Sequence, residues 1–390
     1  MSDTYTEVTS QNWFSRIGES VKGILFGLIA IPLAIILLWW NEGRAVTTAN
    51  SLKEGAAAVI SVPPEKIDPA NEGKLIHVSG EASAADPVSD SVFRIATAAL
   101  RLERKEEIYQ WVEDQKTETK QKTGGSEESI TTYTYAKKWV DAPVDSSAFK
   151  QPAGHGNKGA LIAGNEHFNA RRVTLGAFQI PESFVSRMGG ARPHPVTEAD
   201  LEKLPPNLRE GAQVHATAFY FGAEPEVPQI GDRRVSFEAV KPGPFSILAA
   251  QSSASVAPYQ TKAGDAIDFI ETGTVDAKTM FQNAVSANKL LTWLLRLAGF
   301  VVMAIAFALI MRPLSVLGSI VPFIGNVIGA GTGMIAFVLA ATISLGVIAI
   351  AWLFARPVLG ILLLALTIGG FIYTRKIAAR TRPVSSPVAA

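Results

Sequence analysis

The stretch GILFGLIAIPLAIILLWW, residues 23–40, decides the fold class of this chain. It carries no charge and approaches the roughly 20 apolar residues that a helix needs to cross the hydrocarbon core of a bilayer. A cleaved signal peptide is the alternative, but Trp39 and Trp40 occupy the end where cleavage requires small residues. Tryptophans there are typical of an interfacial belt. We therefore interpret residues 23–41 as an uncleaved membrane helix, which Pro32 is expected to kink.

The composition of the whole chain also indicates a membrane protein. Of its 390 residues, 48% are hydrophobic and only 18% are charged, whereas soluble domains carry about 25% charged residues. The formal net charge of +1 argues against a nucleic-acid partner bound through bulk positive charge. The absence of cysteine excludes disulfides, thiolate nucleophiles and cysteine zinc sites.

Further hydrophobic stretches lie near the end of the chain. Residues 290–311 are interrupted only by Arg296, whose side chain we expect to snorkel to the interface beside Trp293. Residues 313–355 contain no charge and could form one span or two, and residues 357–374 are again uncharged. Basic tails favour the cytoplasm, and an even number of spans places both termini there, so we favour four spans.

These considerations predict a membrane protein of the α+β class, with a large β-rich extracytoplasmic domain between the first and second of four spans. The predicted segments are a cytoplasmic N-terminal segment (1–22), helix 1 (23–41), the extracytoplasmic domain (42–288), helix 2 (289–312), an interfacial segment (313–324), helix 3 (325–355), helix 4 (356–374) and a basic cytoplasmic tail (375–390).

Antiparallel strands and a few helices are predicted within the domain, without βαβ alternation. Residues 107–113 and 130–140 read as two strands of a hairpin, separated by a long solvated tip centred on Gly124 and Gly125. Five aromatic residues of these strands are expected to pack across the hairpin. They are Tyr109, Trp111, Tyr133, Tyr135 and Trp139.

No catalytic or cofactor motif stands out. Residues 154–159 match GxGxxG, but no strand precedes them, so a loop is favoured over a dinucleotide site. The five histidines lack metal-ligand spacing, and the predicted membrane segments contain no Asp, Glu or His. We therefore expect neither an enzyme nor a bound cofactor or metal.

Gly325, Gly329 and Gly333 recur every four residues in the third predicted span. Such spacing lets another helix approach closely in lipid. The partner helix could belong to the same chain or to another subunit, and a flexible glycine-rich turn is the alternative.

Several short motifs, in their order along the chain, resemble the transmembrane protein 43 (LUMA) family. The motif residues are Asn41, Glu42, Gly43 and Arg44 after the first span, Tyr109, Gln110 and Trp111 in the hairpin, and Gly231 and Asp232 before a later strand. The stretches at 51–55, 71–77, 261–265 and 352–357 match as well.

The resemblance implies one N-terminal span, a large extracytosolic domain, three C-terminal spans and no known catalytic residues. Animal members reside in the endoplasmic reticulum and inner nuclear envelope, where they self-associate and organise complexes, with emerin and lamins as implied partners. The cysteine-free, alanine-rich composition is more typical of a bacterial member, whose domain would be periplasmic at the inner membrane.

The favoured function is a membrane scaffold that forms homo-oligomers, contacts the lipid bilayer and gathers other membrane proteins. One alternative is an enzyme acting on lipid at the membrane surface, and another is an oligomeric channel. The candidate general bases of the enzyme are His77, His155, His167 and His215.

Overall fold

The computed structural model describes residues 3–355 and, beyond them, 361, 362, 365, 366, 368–370 and 372. The chain divides into two compact units. The β-rich unit contains residues 3–7, 51–118 and 130–284, and the helical unit contains 8–50, 119–129 and the described residues from 285 onward. The predicted α+β class is confirmed.

Three long helices of the described residues are apolar enough to cross a membrane. The helices are α1 (Trp13–Ala58), α2 (Glu182–Val185), α3 (Glu198–Lys203), α4 (Pro206–Arg209), α5 (Ala277–Gly318) and α6 (Pro322–Ala355). The apolar windows lie in α1, α5 and, for α6, in Val327–Leu353. Of the four expected spans, three are therefore found, and the fourth, at 356–374, falls largely outside the described residues.

The second long helix does not end at residue 312, as predicted, and it extends into the segment 313–324. Helix α5 continues through Pro313 to Gly318, and α6 begins at Pro322. Pro313 cannot donate to the carbonyl of Leu309, but that carbonyl faces Gly23 of α1, and membrane helices tolerate proline where neighbouring helices pack. Residues 322–355 form a single helix, which agrees with the interpretation that this uncharged stretch contains one span and not two.

Nineteen strands are present among the described residues. In chain order they are β1 (Asp3–Gln11), β2 (Ile60–Val62), β3 (Leu75–Ala84), β4 (Val88–Asp90), β5 (Ile95–Thr97), β6 (Arg101–Gln121), β7 (Glu127–Val140), β8 (Glu166–Asn169), β9 (Val173–Leu175), β10 (Phe178–Ile180), β11 (Arg192–His194), β12 (Ala212–His215), β13 (Ala218–Phe221), β14 (Arg233–Val240), β15 (Gly243–Ser252), β16 (Ser255–Ala257), β17 (Tyr259–Gln260), β18 (Ala266–Ile267) and β19 (Phe269–Thr272).

The first large sheet has the strand order β1-β7-β6-β14-β13-β12, with β8 paired to β6 and β11 to β14. Strand β6 supplies its centre, and residues Arg101–Ile108 pair antiparallel with β14. Alternate residues of β6 are buried, as the two-residue repeat of a strand requires. They are Leu102, Arg104, Glu106, Ile108 and Gln110.

The second large sheet has the order β19-β15-β16-β10-β9-β3-β2 and an additional β15–β3 pairing. Because of this extra pairing, five strands form a closed ring in which each strand pairs with two others. They are β3, β15, β16, β10 and β9. One apolar cluster lies between the two sheets, with Ile76 and Val78 from β3 and Phe219 and Phe237 from β13 and β14. Burying this cluster is the main source of the stability of the β-rich unit.

The predicted hairpin is confirmed, but its strands are longer and its turn shorter than expected. Its tip is not wholly solvated, because Gly125 is buried in the helical unit. A Cβ at Gly125 would lie 2.4 Å from Cδ1 of Trp13, and the glycine has a φ of +78°. Arg16 donates to the carbonyl of Gly125 over 2.5 Å and forms an ion pair with Glu127 at 2.7 Å. The tip is therefore held at the amino-terminal end of α1.

Candidate functional site

A buried ion pair links the three long helices of the helical unit. Glu42 lies on α1 directly after the hydrophobic stretch and is 1% exposed. Arg296 of α5 donates to it through Nε at 2.6 Å and through Nη2 at 2.8 Å, and Trp352 of α6 donates through its indole nitrogen. We call Glu42, Arg296 and Trp352 the Glu42 cluster. Arg296 lies beside Trp293, as predicted, and its charge is neutralised by Glu42 within the helical unit.

Two aromatic rings flank the guanidinium of Arg296. Its Cζ atom lies 4.8 Å from the ring centroid of Trp293 and 5.3 Å from that of Trp352. A cation held against aromatic faces in a partly desolvated place is favoured by their quadrupoles. Bidentate pairing and these rings together fix the side chain in one geometry.

Glu42 belongs to the sequence motif 41–44, and two other residues of that motif, Asn41 and Arg44, join α1 to α5. Asn41 is fully buried and donates to the carbonyl of Thr292 over 3.1 Å. Arg44 donates to the side chains of Asn288 at 3.0 Å and Thr292 at 3.1 Å. Asn288 in turn donates to the carbonyl of Ala45 at 3.0 Å. The motif that follows the first span is thus a set of polar contacts that fixes one helix against the next.

A cavity of about 320 Å³ adjoins the Glu42 cluster. Polar and charged residues line one part of it, including Asn288, Lys289 and Arg296, whereas Ala49 and Val285 line another. The described residues that line the cavity all belong to α1, α5 and α6.

The predicted glycine ridge is only partly in close contact. A Cβ at Gly325 would lie 2.7 Å from the Cα of Ser319, and one at Gly329 would lie 3.9 Å from the Cβ of Ser315. A Cβ at Gly333 would meet no described atom of another element within 4 Å. Sequence reasoning missed the closer glycines Gly27 and Gly299, which face Ala306 and Leu38 with a Cβ distance of 2.6 Å each. These two let α1 and α5 approach closely.

The motif residues of the β-rich unit also have structural partners. Gln110 is 2% exposed and accepts from the backbone of Val144 at 2.8 Å. The backbone of Gly231 donates to the carbonyl of Tyr109, and Asp232 accepts from the hydroxyl of Tyr220 at 2.6 Å. The backbone of Trp111 donates to Asn157 at 2.7 Å. The expected cross-strand packing is found for Tyr109 and Trp139, whose ring centroids lie 5.2 Å apart.

A second group of buried charges lies on the inward face of β6. Arg104 binds Asp90 at 2.5 Å and Glu166 at 2.8 Å, and both Arg104 and Asp90 are nearly inaccessible to solvent. Glu106 is fully buried and accepts from the backbone of Ala163 at 2.9 Å and Gly164 at 2.7 Å. Sequence reasoning missed this group, because Arg104 and Glu106 occur in a run of charged residues that reads as a solvated surface.

The candidate general bases do not come together. His77 is buried beside the carbonyl of Val275 at 2.8 Å, and His155 lies between the carbonyl of Gln151 and Asp3. His167 and His215 lie at the surface, 3.8 Å from Glu103 and 3.9 Å from Glu226. The GxGxxG string that contains His155 is a loop, as predicted. Among the described residues, no three His, Asp or Glu side chains are grouped to hold a metal ion.

The long apolar helices and the β-rich unit encoded between the first two of them define a membrane protein. The family model for transmembrane protein 43 matches residues 108–357. Human transmembrane protein 43 is 31% identical over 395 residues, covering 96% of this chain and 94% of the human protein. The Drosophila melanogaster homolog is 27% identical, covering 87% and 90%. No solved structure matches. The chain belongs to the transmembrane protein 43 family, which confirms the resemblance.

Removing one partner of the Glu42 cluster should destabilise the helical unit. Glu42→Leu leaves the charge of Arg296 unpaired, and we expect a loss of about 3–5 kcal/mol in the free energy of unfolding. Glu42→Leu combined with Arg296→Met should recover most of that loss, because no buried charge remains. Equilibrium unfolding of the detergent-solubilised chain in increasing dodecyl sulfate measures both.

The exposed Glu65→Leu is the matched control, since it removes a carboxylate without a buried partner, and its effect should stay within about 0.5 kcal/mol. A double variant as unstable as Glu42→Leu would contradict a role for the ion pair in the fold.

The β-rich unit should show a late tyrosine ionisation. Burial and the hydrogen bond to Glu113 raise the pKa of Tyr135 to about 12 from its usual 10. Because the folded state holds this proton more tightly, the stabilisation is complete below pH 10 and is lost as the pH rises to 12. In a spectrophotometric titration followed at 295 nm, Tyr135→Phe should lack one of the tyrosine ionisations that the unmodified protein shows above pH 10.

Burial and a hydrogen bond to Asp232 also raise the pKa of Tyr220, so Tyr220→Phe should remove a separate late group. Unchanged absorbance curves above pH 10 in both variants would refute the burial of these hydroxyls.

Proposed function

We propose that this chain is a multi-pass membrane scaffold that self-associates and organises protein assemblies, together with lipid, through a large extracytoplasmic domain. The observation that carries the proposal is the use of the buried polar side chains. In the described residues, Arg104 of β6 binds Glu166 of β8, Glu106 and Gln110 of β6 bind the backbone of loops, and Glu42 and Arg296 join helices. These buried polar interactions connect structural elements to one another.

An exposed face of the helical unit supports association with other molecules. On α6 the face around Gly333 is exposed, and small residues there allow a helix of a second copy to approach closely. The surrounding apolar residues of α6, such as Met334 and Phe337, are more than half exposed and suit lipid or another helix.

Other partners follow from the family and from the cell that contains the chain. Emerin and lamins are partners only in an animal cell, in the endoplasmic reticulum or inner nuclear envelope. In a bacterium the domain faces the periplasm, and other inner-membrane proteins take that role.

Mass photometry of the intact chain in detergent and in lipid nanodiscs tests self-association. We expect particles with more than one copy, and Gly333→Leu should shift them toward monomer because it obstructs close helix approach. Gly18→Leu is the matched control, since its glycine also has open space but lies before the hydrophobic stretch of α1. A strictly monomeric particle that retains its fold would overturn the scaffold proposal.

The proposed topology can be tested with single cysteines, because the chain has none of its own. Glu210→Cys reports on the β-rich unit and Lys22→Cys on the amino-terminal end of α1. In sealed vesicles, a membrane-impermeant maleimide should label these two positions from opposite sides. Labelling of both from one side would contradict an extracytoplasmic domain with a cytoplasmic N-terminal segment, and it would agree instead with the pairing of β1 with β7, which assigns residues 3–7 to the β-rich unit.

A further inference from the structure

The cavity beside the Glu42 cluster lies at one end of the hydrophobic stretches of all three long helices. Glu42 follows the apolar part of α1, Trp293 and Arg296 lie near the start of that of α5, and Trp352 lies near the end of that of α6. Tryptophans concentrate at the level of the lipid headgroups. The cavity is therefore at the depth of lipid phosphates.

The charges around this cavity are predominantly positive. Among the described residues that line it, Glu42 is the one carboxylate, and both of its oxygens already accept from Arg296. Lys289 lines the cavity, is exposed and has no hydrogen-bond or ion-pair partner among the described residues. Arg44 does not line the cavity, but it donates to Asn288 and Thr292, which do, and all its acceptors, including Asn41, are neutral oxygens. Glu42 neutralises the charge of Arg296, whereas the positive charges of Lys289 and Arg44 have no carboxylate partner among the described residues.

The remaining lining suits an amphipathic molecule. Ala45, Val46, Ala49 and Val285 form an apolar wall, and Asn288 and Thr292 supply polar groups. A volume of about 320 Å³ lies at the lower end of ligand pockets, enough for a headgroup but not for a whole lipid. Acyl chains would remain in the bilayer, in contact with the exposed apolar side chains of α5.

We propose that this cavity binds the phosphate of an anionic phospholipid, with Lys289 as the principal cation that contacts it. Basic pockets between membrane helices are suited to anionic headgroups, because each cation near the surface adds attraction to the phosphate. Trp293 and the apolar wall hold the glycerol part of the headgroup. This site deepens the lipid part of the proposed function, and it does not depend on self-association.

Native mass spectrometry of the intact detergent-solubilised chain tests the site. Phosphatidylglycerol should bind more tightly than phosphatidylcholine, and added salt should weaken its binding because the attraction is electrostatic. Lys289→Gln should reduce the affinity for phosphatidylglycerol about five-fold, as the loss of one cation predicts. Ala49→Leu, which reduces the cavity volume without changing charge, should weaken binding of the same lipid.

Lys278→Gln is the matched control, since Lys278 is an exposed lysine on the same helix and does not line the cavity. Inorganic phosphate is a third ligand, and it should compete only weakly because it lacks the glycerol and acyl parts. Equal binding of the two lipids, equal loss in both lysine variants, or competition by phosphate as strong as by phosphatidylglycerol would each overturn the proposal. Mass photometry of Lys289→Gln should be unchanged, so the failure of the lipid site is distinguishable from the failure of the scaffold.

Discussion

The helical unit depends on one buried carboxylate. Glu42 is almost inaccessible to solvent, and burying an isolated charge at the edge of an apolar bundle is costly unless a partner neutralises it. Arg296 and Trp352 satisfy it from two other helices, so all three helices must be in register for the contact to form. The close approaches at Gly27 and Gly299 bring α1 and α5 to the separation at which this is possible.

The β-rich unit uses the same chemistry in another setting. Arg104 and Glu106 face inward from the central strand of the first sheet and bind Asp90, Glu166 and the backbone near Gly164. A shift of β6 by one residue would turn both charges outward and bring their neighbours inward. Buried charges in both units therefore select one arrangement among several that apolar burial alone would permit.

The sequence predicted the class of the fold and much of the helical unit, because hydrophobic length is a strong signal that needs no tertiary information. The same reasoning underestimated β6, since the pattern indicates chiefly residues 107–113 of a strand that runs over Arg101–Gln121. Its inward positions include Arg104, Glu106 and Gln110, so the usual alternation of apolar and polar residues is hidden. Helix 2 was predicted to end at 312, directly before Pro313, whereas α5 continues to Gly318, because the neighbouring helix that allows the proline is not evident from the local sequence.

The sequence predicted only part of the candidate site. The motif at 41–44 was identified through the family resemblance, but its role in joining α1 to α5 was not. The sequence contains an arginine, Arg296, inside one apolar stretch and a glutamate, Glu42, directly after another apolar stretch. The opposite charges of these two residues were the signal that could have predicted the ion pair. The cavity could not have been found in this way, because its lining comes from positions separated by more than 200 residues.

The long sequence separation within the Glu42 cluster has a consequence for biosynthesis. Glu42 precedes Arg296 by 254 residues and Trp352 by 310. At ribosomal rates of about 5–20 residues per second, the carboxylate waits on the order of 10–50 s for its arginine. During that interval the first helix must remain where water or a translocation partner solvates Glu42, and only the arrival of the later helices lets the bundle close. Assembly in the membrane is therefore ordered, and truncation before Arg296 leaves the first helix without its electrostatic partner.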